Sequence, residues 1–270
     1  MTNFDTLVLS GNSTNAIYSL GALQKLFENN QLNNINTIVG TSSGSLIGAL
    51  IAIGYEPIDV LIEVCFNKSF SNVGQINLLG FGSGILNFDL IENEFSKIIL
   101  AKIGNIPTLL DIYEKFNKRL ICVTFNITDN CKEYIDYKSH PDLPVTVVTR
   151  MSCTFPFIFN PFEYKGKFYL DGGIVDNFAM NFAQSIGVNC IGIYNKNKFK
   201  SPYTPQVGFF DLLFRVFSAF VCSAADNIVL INPNSKLLKI EYEPNFFNFK
   251  QTNMQLVSMF DCGYKSLKTD

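Results

Sequence analysis

Short apolar runs rich in β-branched residues recur along this chain, each stopped by glycine or a small polar residue and then followed by an apolar pattern of helical period. Thr6-Leu7-Val8-Leu9, closed by Ser10-Gly11, predicts a first strand, and the pattern over 16–28 predicts a helix. Asn36-Thr37-Ile38-Val39 predicts a second strand ending at Gly40. Leu46, Ile47, Ala49, Leu50 and Ile53 then continue as a buried helix, and Pro57 opens another through Phe66. Helices follow over 89–102 and 109–118, strands over 120–127 and 133–137, and a helix over 144–150. Past an irregular stretch containing Ser152, Pro156 and Pro161, Phe168-Tyr169-Leu170 predicts a short strand that stops at Asp171-Gly172-Gly173. Strands over 188–193 and 237–242 and a helix over 254–264 complete the pattern. The stretch 69–87, rich in Ser, Gly and Asn around Leu78, Leu79 and Phe81, predicts a mobile loop able to cover a site. Strands alternating with helices predict an α/β fold on a mostly parallel sheet with helices on both faces, its reactive loops at the carboxyl ends of the strands.

Composition narrows this picture. With 47% hydrophobic and 16% charged residues among 270, the chain has material for a full core, which excludes general disorder. No linker divides it, so a single domain over 1–270 is expected. A net charge of −2 gives no field to gather nucleic acid or a strongly anionic membrane. Seven scattered cysteines without a C-x-x-C pair read as buried free thiols in a reducing compartment, and with one histidine they argue against a zinc site. The first five residues lack a basic flank, so neither a signal nor a transit peptide is expected, and the expected location is cytoplasmic or peripheral to a membrane. The aromatic segment 207–225 carries Asp211 and Arg215 four residues apart, which argues against a spanning helix and leaves core packing or contact with lipid.

Gly40-Thr41-Ser42-Ser43-Gly44 matches the G-x-S-x-G pattern of serine acyl hydrolases, and its strand–turn–helix setting places Ser42 at a helix N-terminus, where developing negative charge is favoured. A plain helix-cap serine is the alternative at that position. Neither Ser43 nor Ser45 has glycine two positions before and two after. The single histidine, His140, lies between the pentapeptide and Asp171, so the serine–acid–histidine order of α/β-hydrolases cannot be assembled. Asp171, before two glycines, is either an ordinary Asp-Gly turn or a carboxylate held bare enough to approach another loop. The strand ends at Gly11, Ser42 and Asp171 are expected to meet. No G-x-G-x-x-G is present, and no cofactor is expected.

Taken together, Leu7-Val8-Leu9-Ser10-Gly11, Tyr18 with Leu20-Gly21-Ala22-Leu23, Gly40-Thr41-Ser42-Ser43-Gly44, Arg150-Met151-Ser152 with Pro156 and Phe159, and Asp171-Gly172-Gly173 with Asn177 resemble the ordered blocks of patatin-like phospholipases. That resemblance implies a three-layer α/β fold and a lipid acyl hydrolase of phospholipase A or lysophospholipase type, intracellular or peripheral to a membrane. It implies a lipid or phospholipid ester as substrate, Ser42 as nucleophile, Asp171 as base, and neither metal nor nucleic acid. It also places the oxyanion hole at Gly11, Asn12, Ser13 and Ser43. The chain departs from the family in its first loop, where Gly11-Asn12-Ser13-Thr14-Asn15-Ala16 replaces a run of glycines and a basic residue. Asn12 tolerates a left-handed backbone more readily than Ser13 does, and the side chains of Asn12, Ser13 or Asn15 are candidate replacement donors for the oxyanion. This departure sets a second reading beside the first: a catalytically impaired patatin-like protein acting as a lipid-binding or regulatory module. A third, a serine hydrolase recruiting His140, conflicts with Lys138-Ser139-His140-Pro141, which reads as a solvated turn.

Overall fold

The protein is described by a computed structural model covering residues 3–66, 86–199, 212–213, 215–219, 227–243 and 251–267. Five parallel strands form its centre: β1 (Thr6–Leu9), β2 (Thr37–Thr41), β3 (Arg119–Asn126), β7 (Cys190–Asn197) and β8 (Lys236–Tyr242), in the order β3-β2-β1-β7-β8. Alternate side chains of these strands enter two different cores. Leu7, Leu9, Ile38, Leu120 and Cys122 pack on one face, while Val8, Val39, Ile121 and Val123 pack on the other with Met180 and Ala183. Burial on both faces is why these strands read as continuous apolar runs.

The first face is covered by α1 (Ile17–Glu28), α2 (Ser43–Ala52), α3 (Pro57–Phe66), α4 (Asp89–Ile103), α5 (Leu109–Phe116), α6 (Val145–Cys153) and α9 (Asn253–Lys265), and the second by α8 (Met180–Ile186). Local chemistry fixes their ends. Thr108 and Asp111 form a reciprocal capping box at the start of α5, and Gly104 closes α4 in the left-handed conformation at φ 78°. Helices α1 and α9 touch at backbone level, since a Cβ added to Gly21 would lie 1.9 Å from Phe260 O and one added to Gly263 1.9 Å from Tyr18 O.

The sheet continues beyond β3 with β4 (Cys131–Ile135) and β6 (Lys167–Asp171), both expected as strands, and with the additional β5 (Phe162–Tyr164); their antiparallel direction is what the sequence pattern does not reveal. A hairpin turn at Lys165-Gly166, both at positive φ, joins β5 to β6. Helix α6 runs three residues past the expected end at Arg150, and α8 and the short α7 (Gly173–Asp176) are additional. The loop expected over 69–87 lies outside the described residues apart from its last two positions. Of the aromatic segment, residues 212–213 and 215–219 are helical, with Phe217 edge-on to Phe155 at 5.4 Å; the remainder lies outside the described residues. Among the described residues no single helix is long and apolar enough to cross a membrane.

One feature of the register positions the site. Strand β4 occupies one edge of β3, so β2 and β6 must share the other. They arrive from opposite directions and stop on neighbouring β3 residues, Thr41 beside Val123 and Asp171 beside Thr124. The residue after β2 therefore faces the last residue of β6.

Candidate active site

That residue is Ser42. It bridges β2 and α2 at φ 53°, ψ −129°, a conformation costing a non-glycine residue about 1–3 kcal/mol. Close packing enforces the turn: a Cβ on Gly40 would lie 2.6 Å from Gly44 O, and one on Gly44 2.5 Å from Leu9 O. Ser45 secures it from inside α2, its N–H donating to Ser42 O at 2.8 Å and its hydroxyl to the same oxygen at 2.6 Å. The Ser42 N–H donates to Ser152 Oγ at 2.8 Å, and Ser152 donates in turn to Val123 O at 2.7 Å. Ser152, at the end of α6 and fully buried, thus ties the turn to the central strand.

The Ser42 hydroxyl donates to Asp171 Oδ2 at 2.6 Å. The other carboxylate oxygen accepts the Gly173 N–H at 2.7 Å, and the backbone N–H groups of Asp171 and Gly172 donate to Thr154 O and Ser152 O. Asp171 is only 2% exposed. Burial raises its pKa from the ordinary 3.8 to about 7, against the opposing effect of the Ser42 and Gly173 hydrogen bonds. Near neutral pH this carboxylate can hold or release a proton, as general-base chemistry on the attached hydroxyl requires. The neighbouring Cys153 thiol, 3.8 Å from Ser45 Oγ, is held well above its usual range by burial and by Asp171, so it stays protonated and inert.

The first loop closes the other side. Gly11 lies against the Ser42 turn, where an added Cβ would sit 2.8 Å from Ser42 Cβ. Its N–H donates to Asn177 O and its carbonyl accepts Asn177 Nδ2 at 3.0 Å. The Asn12 N–H donates to Ser43 Oγ at 2.9 Å. The left-handed residue is Ser13, at φ 50°, and not Asn12, whose φ is −158°. Intrinsic preference alone favours Asn12 for that conformation, but Asn12 lies at φ −158°, ψ 20° with its N–H bonded to Ser43. Of the four residues expected at an oxyanion hole, Gly11 and Asn12 thus have their N–H groups engaged. Ser13 opens a single 3₁₀ turn (Ser13–Ala16) and Ser43 opens α2, positions whose N–H groups have no partner within their own helix.

His140 is elsewhere. Its turn follows β4, whose last residue pairs with Cys122, and Asp136 at the head of that turn bonds Arg119 at the start of β3. His140 therefore sits at the opposite end of the sheet from Ser42. Arg150 is an anchor, pairing with Asp89 and Glu92 at 2.8 and 2.6 Å while lying over the Phe162 ring. Reading the residues alone gave Ser152 no role; its signal was the Arg150-Met151-Ser152 block, but the bond to Ser42 spans 110 positions. Cys153 belongs to a small buried apolar cluster with Phe88, Ile158 and Phe159, against which Leu46 and Phe155 pack.

The chain matches the family model described as patatin-like phospholipase over residues 7–183. Over 210 residues it is 35% identical to a probable lipid hydrolase of Invertebrate iridescent virus 6, covering 74% of this chain and 68% of that one. It is 28% identical over 280 aligned positions to an uncharacterized protein of Acanthamoeba polyphaga mimivirus, covering 97% and 92% of the two chains. Among solved structures, VipD from Legionella pneumophila is similar with a TM-score of 0.55 at 16% identity, covering 98% of this chain and 66% of VipD, a likeness of fold.

Proposed function

The chain belongs to the patatin-like phospholipase family, a family of lipid hydrolases, and from that premise we propose that it cleaves carboxylic esters of lipids, as a phospholipase A or lysophospholipase, through an acyl-Ser42 intermediate. Asp171 accepts the Ser42 proton as Oγ attacks the ester carbonyl, and the N–H groups of Ser13 and Ser43 at the start of two helical turns receive the oxyanion. The proton on Asp171 passes to the departing alcohol. Asp171, ionised again, then takes a proton from water as it attacks the acyl-enzyme and passes that proton to Ser42 Oγ as the C–O bond breaks, releasing a fatty acid and restoring both residues. The observation that carries this reading is the 2.6 Å bond from Ser42 to a buried carboxylate whose pKa is raised to about 7. The half-exposed Phe157, held at φ 66° in the segment after α6, suits peripheral contact with a lipid surface.

A fluorophosphonate probe tests the reading: wild type acquires the label on the peptide containing Ser42, and an unlabelled wild type under conditions that label a related hydrolase contradicts it. The engagement of the Gly11 and Asn12 N–H groups favours a second reading, a lipid-binding or regulatory module impaired in turnover. It requires lipid binding unaffected by Ser42→Ala and no ester cleavage.

A further inference from the structure

The loop after β1 is gripped by a residue outside the family match over residues 7–183. Tyr242, the last residue of β8 and 5% exposed, places its hydroxyl between Asn12 Oδ1 and Asn197 Oδ1 and donates to either. Its ring stacks on Tyr18 at 4.7 Å, which fixes the phenol in place. Asn197, at the end of β7, donates in turn to Ser218 Oγ at 2.8 Å in the helical piece 215–219. Asn12 is itself buried at 7% exposure, and its backbone N–H holds Ser43, the residue after the nucleophile. A continuous path therefore runs from Tyr242 through Asn12 to the first residue of α2.

A run of glycines adopts left-handed and extended conformations without steric cost. With Asn12 and Ser13 in their place, something must hold Ser13 at φ 50°. We infer that Tyr242 is a positioning residue that fixes the Gly11–Ala16 loop through the Asn12 side chain, so that a contact from the last strand does the work of the missing glycines. The inference rests on the proposed hydrolase reading for its catalytic consequence. Its structural part stands alone: the phenol restrains the loop. Asn12 at 7% and Tyr242 at 5% exposure bury the bond, and a buried polar group deprived of its partner is strongly disfavoured.

The test is Tyr242→Phe, which keeps the ring and its stacking on Tyr18, read by two measurements. Ester hydrolysis is expected to fall about ten-fold in kcat, one strong hydrogen bond's worth, with KM and the pH midpoint unchanged. Amide hydrogen exchange over residues 11–16 is expected to quicken in the variant while exchange in β1 and α2 stays as in wild type. Repeating the change in an Asn12→Gly background removes the coupling, so Tyr242→Phe should then have no further effect on rate or exchange. Unchanged exchange over 11–16, or an equal fall in rate with and without Asn12, overturns the inference. An inactive wild type refutes the hydrolase reading alone, and the exchange comparison still decides the role of Tyr242.

Discussion

The backbone N–H of Ser42 donates to the hydroxyl of Ser152 at 2.8 Å, although 110 residues separate them in sequence. Ser152 passes the bond on to Val123 of β3, so the strained turn and the central strand are joined through one buried hydroxyl. Replacing it with alanine leaves a buried N–H and a buried carbonyl without this partner. Ser152→Ala is expected to lower stability by about 1–3 kcal/mol and fluorophosphonate labelling by at least ten-fold. Chemical denaturation and labelling rates measure the two; wild-type values for both would show that the turn is held by other contacts.

Asp171 sets the pH dependence. In the proposed mechanism its ionised form is the base, so the rate should rise with pH to a plateau with a midpoint near 7. The stability that this raised pKa contributes is fully present below the ordinary value of 3.8 and is lost as pH rises through about 7. Asp171→Asn, which does not titrate, should therefore gain on wild type by roughly 2–3 kcal/mol between pH 5 and pH 8.5. Paired unfolding curves check this, and a pH-independent difference would mean that the carboxyl titrates as an exposed one.

Ser13 carries a left-handed backbone at φ 50°, a conformation that its neighbour Asn12 tolerates more readily. Ser13→Gly removes a conformational cost of about 1–2 kcal/mol, partly offset by the greater entropy of glycine in the unfolded chain. A stabilisation of up to about 1 kcal/mol is expected, with labelling of Ser42 retained. A fall in melting temperature would show that the serine side chain holds the loop.

These predictions divide along what the sequence could and could not convey. The strands ending at Gly11 and Ser42 were legible because Leu7 to Leu9 and Ile38 to Val39 face two cores and so form unbroken apolar runs. Gly40 and Gly44 were legible as close-approach positions because no side chain fits there. The antiparallel direction of β6 was not, because it follows from pairing with β3 rather than from any pattern within Phe168-Tyr169-Leu170. That direction is what brings Asp171 head-on to Ser42. The roles of Ser152 and Tyr242 depend on single hydrogen bonds between segments 110 and 230 positions apart, which local periodicity does not encode.

The contact of α1 with α9 offers a check on the fold away from the site. A methyl group at Gly263 would meet Tyr18 O at 1.9 Å, and backbone cannot move aside as a side chain does. Gly263→Ala is expected to destabilise by about 1–3 kcal/mol, measured by thermal unfolding. An unchanged midpoint would mean that the two helices are not in backbone contact.

The most direct measurement is hydrolysis of a panel of phospholipid, lysophospholipid and short-chain esters by wild type, Ser42→Ala and Asp171→Asn, each purified and shown to be folded. The account predicts that wild type cleaves at least one lipid ester and that both variants lose at least about a thousand-fold in kcat, because each removes one half of a proton-transfer pair. Equal background rates from all three proteins would contradict it and leave the binding-module reading in its place.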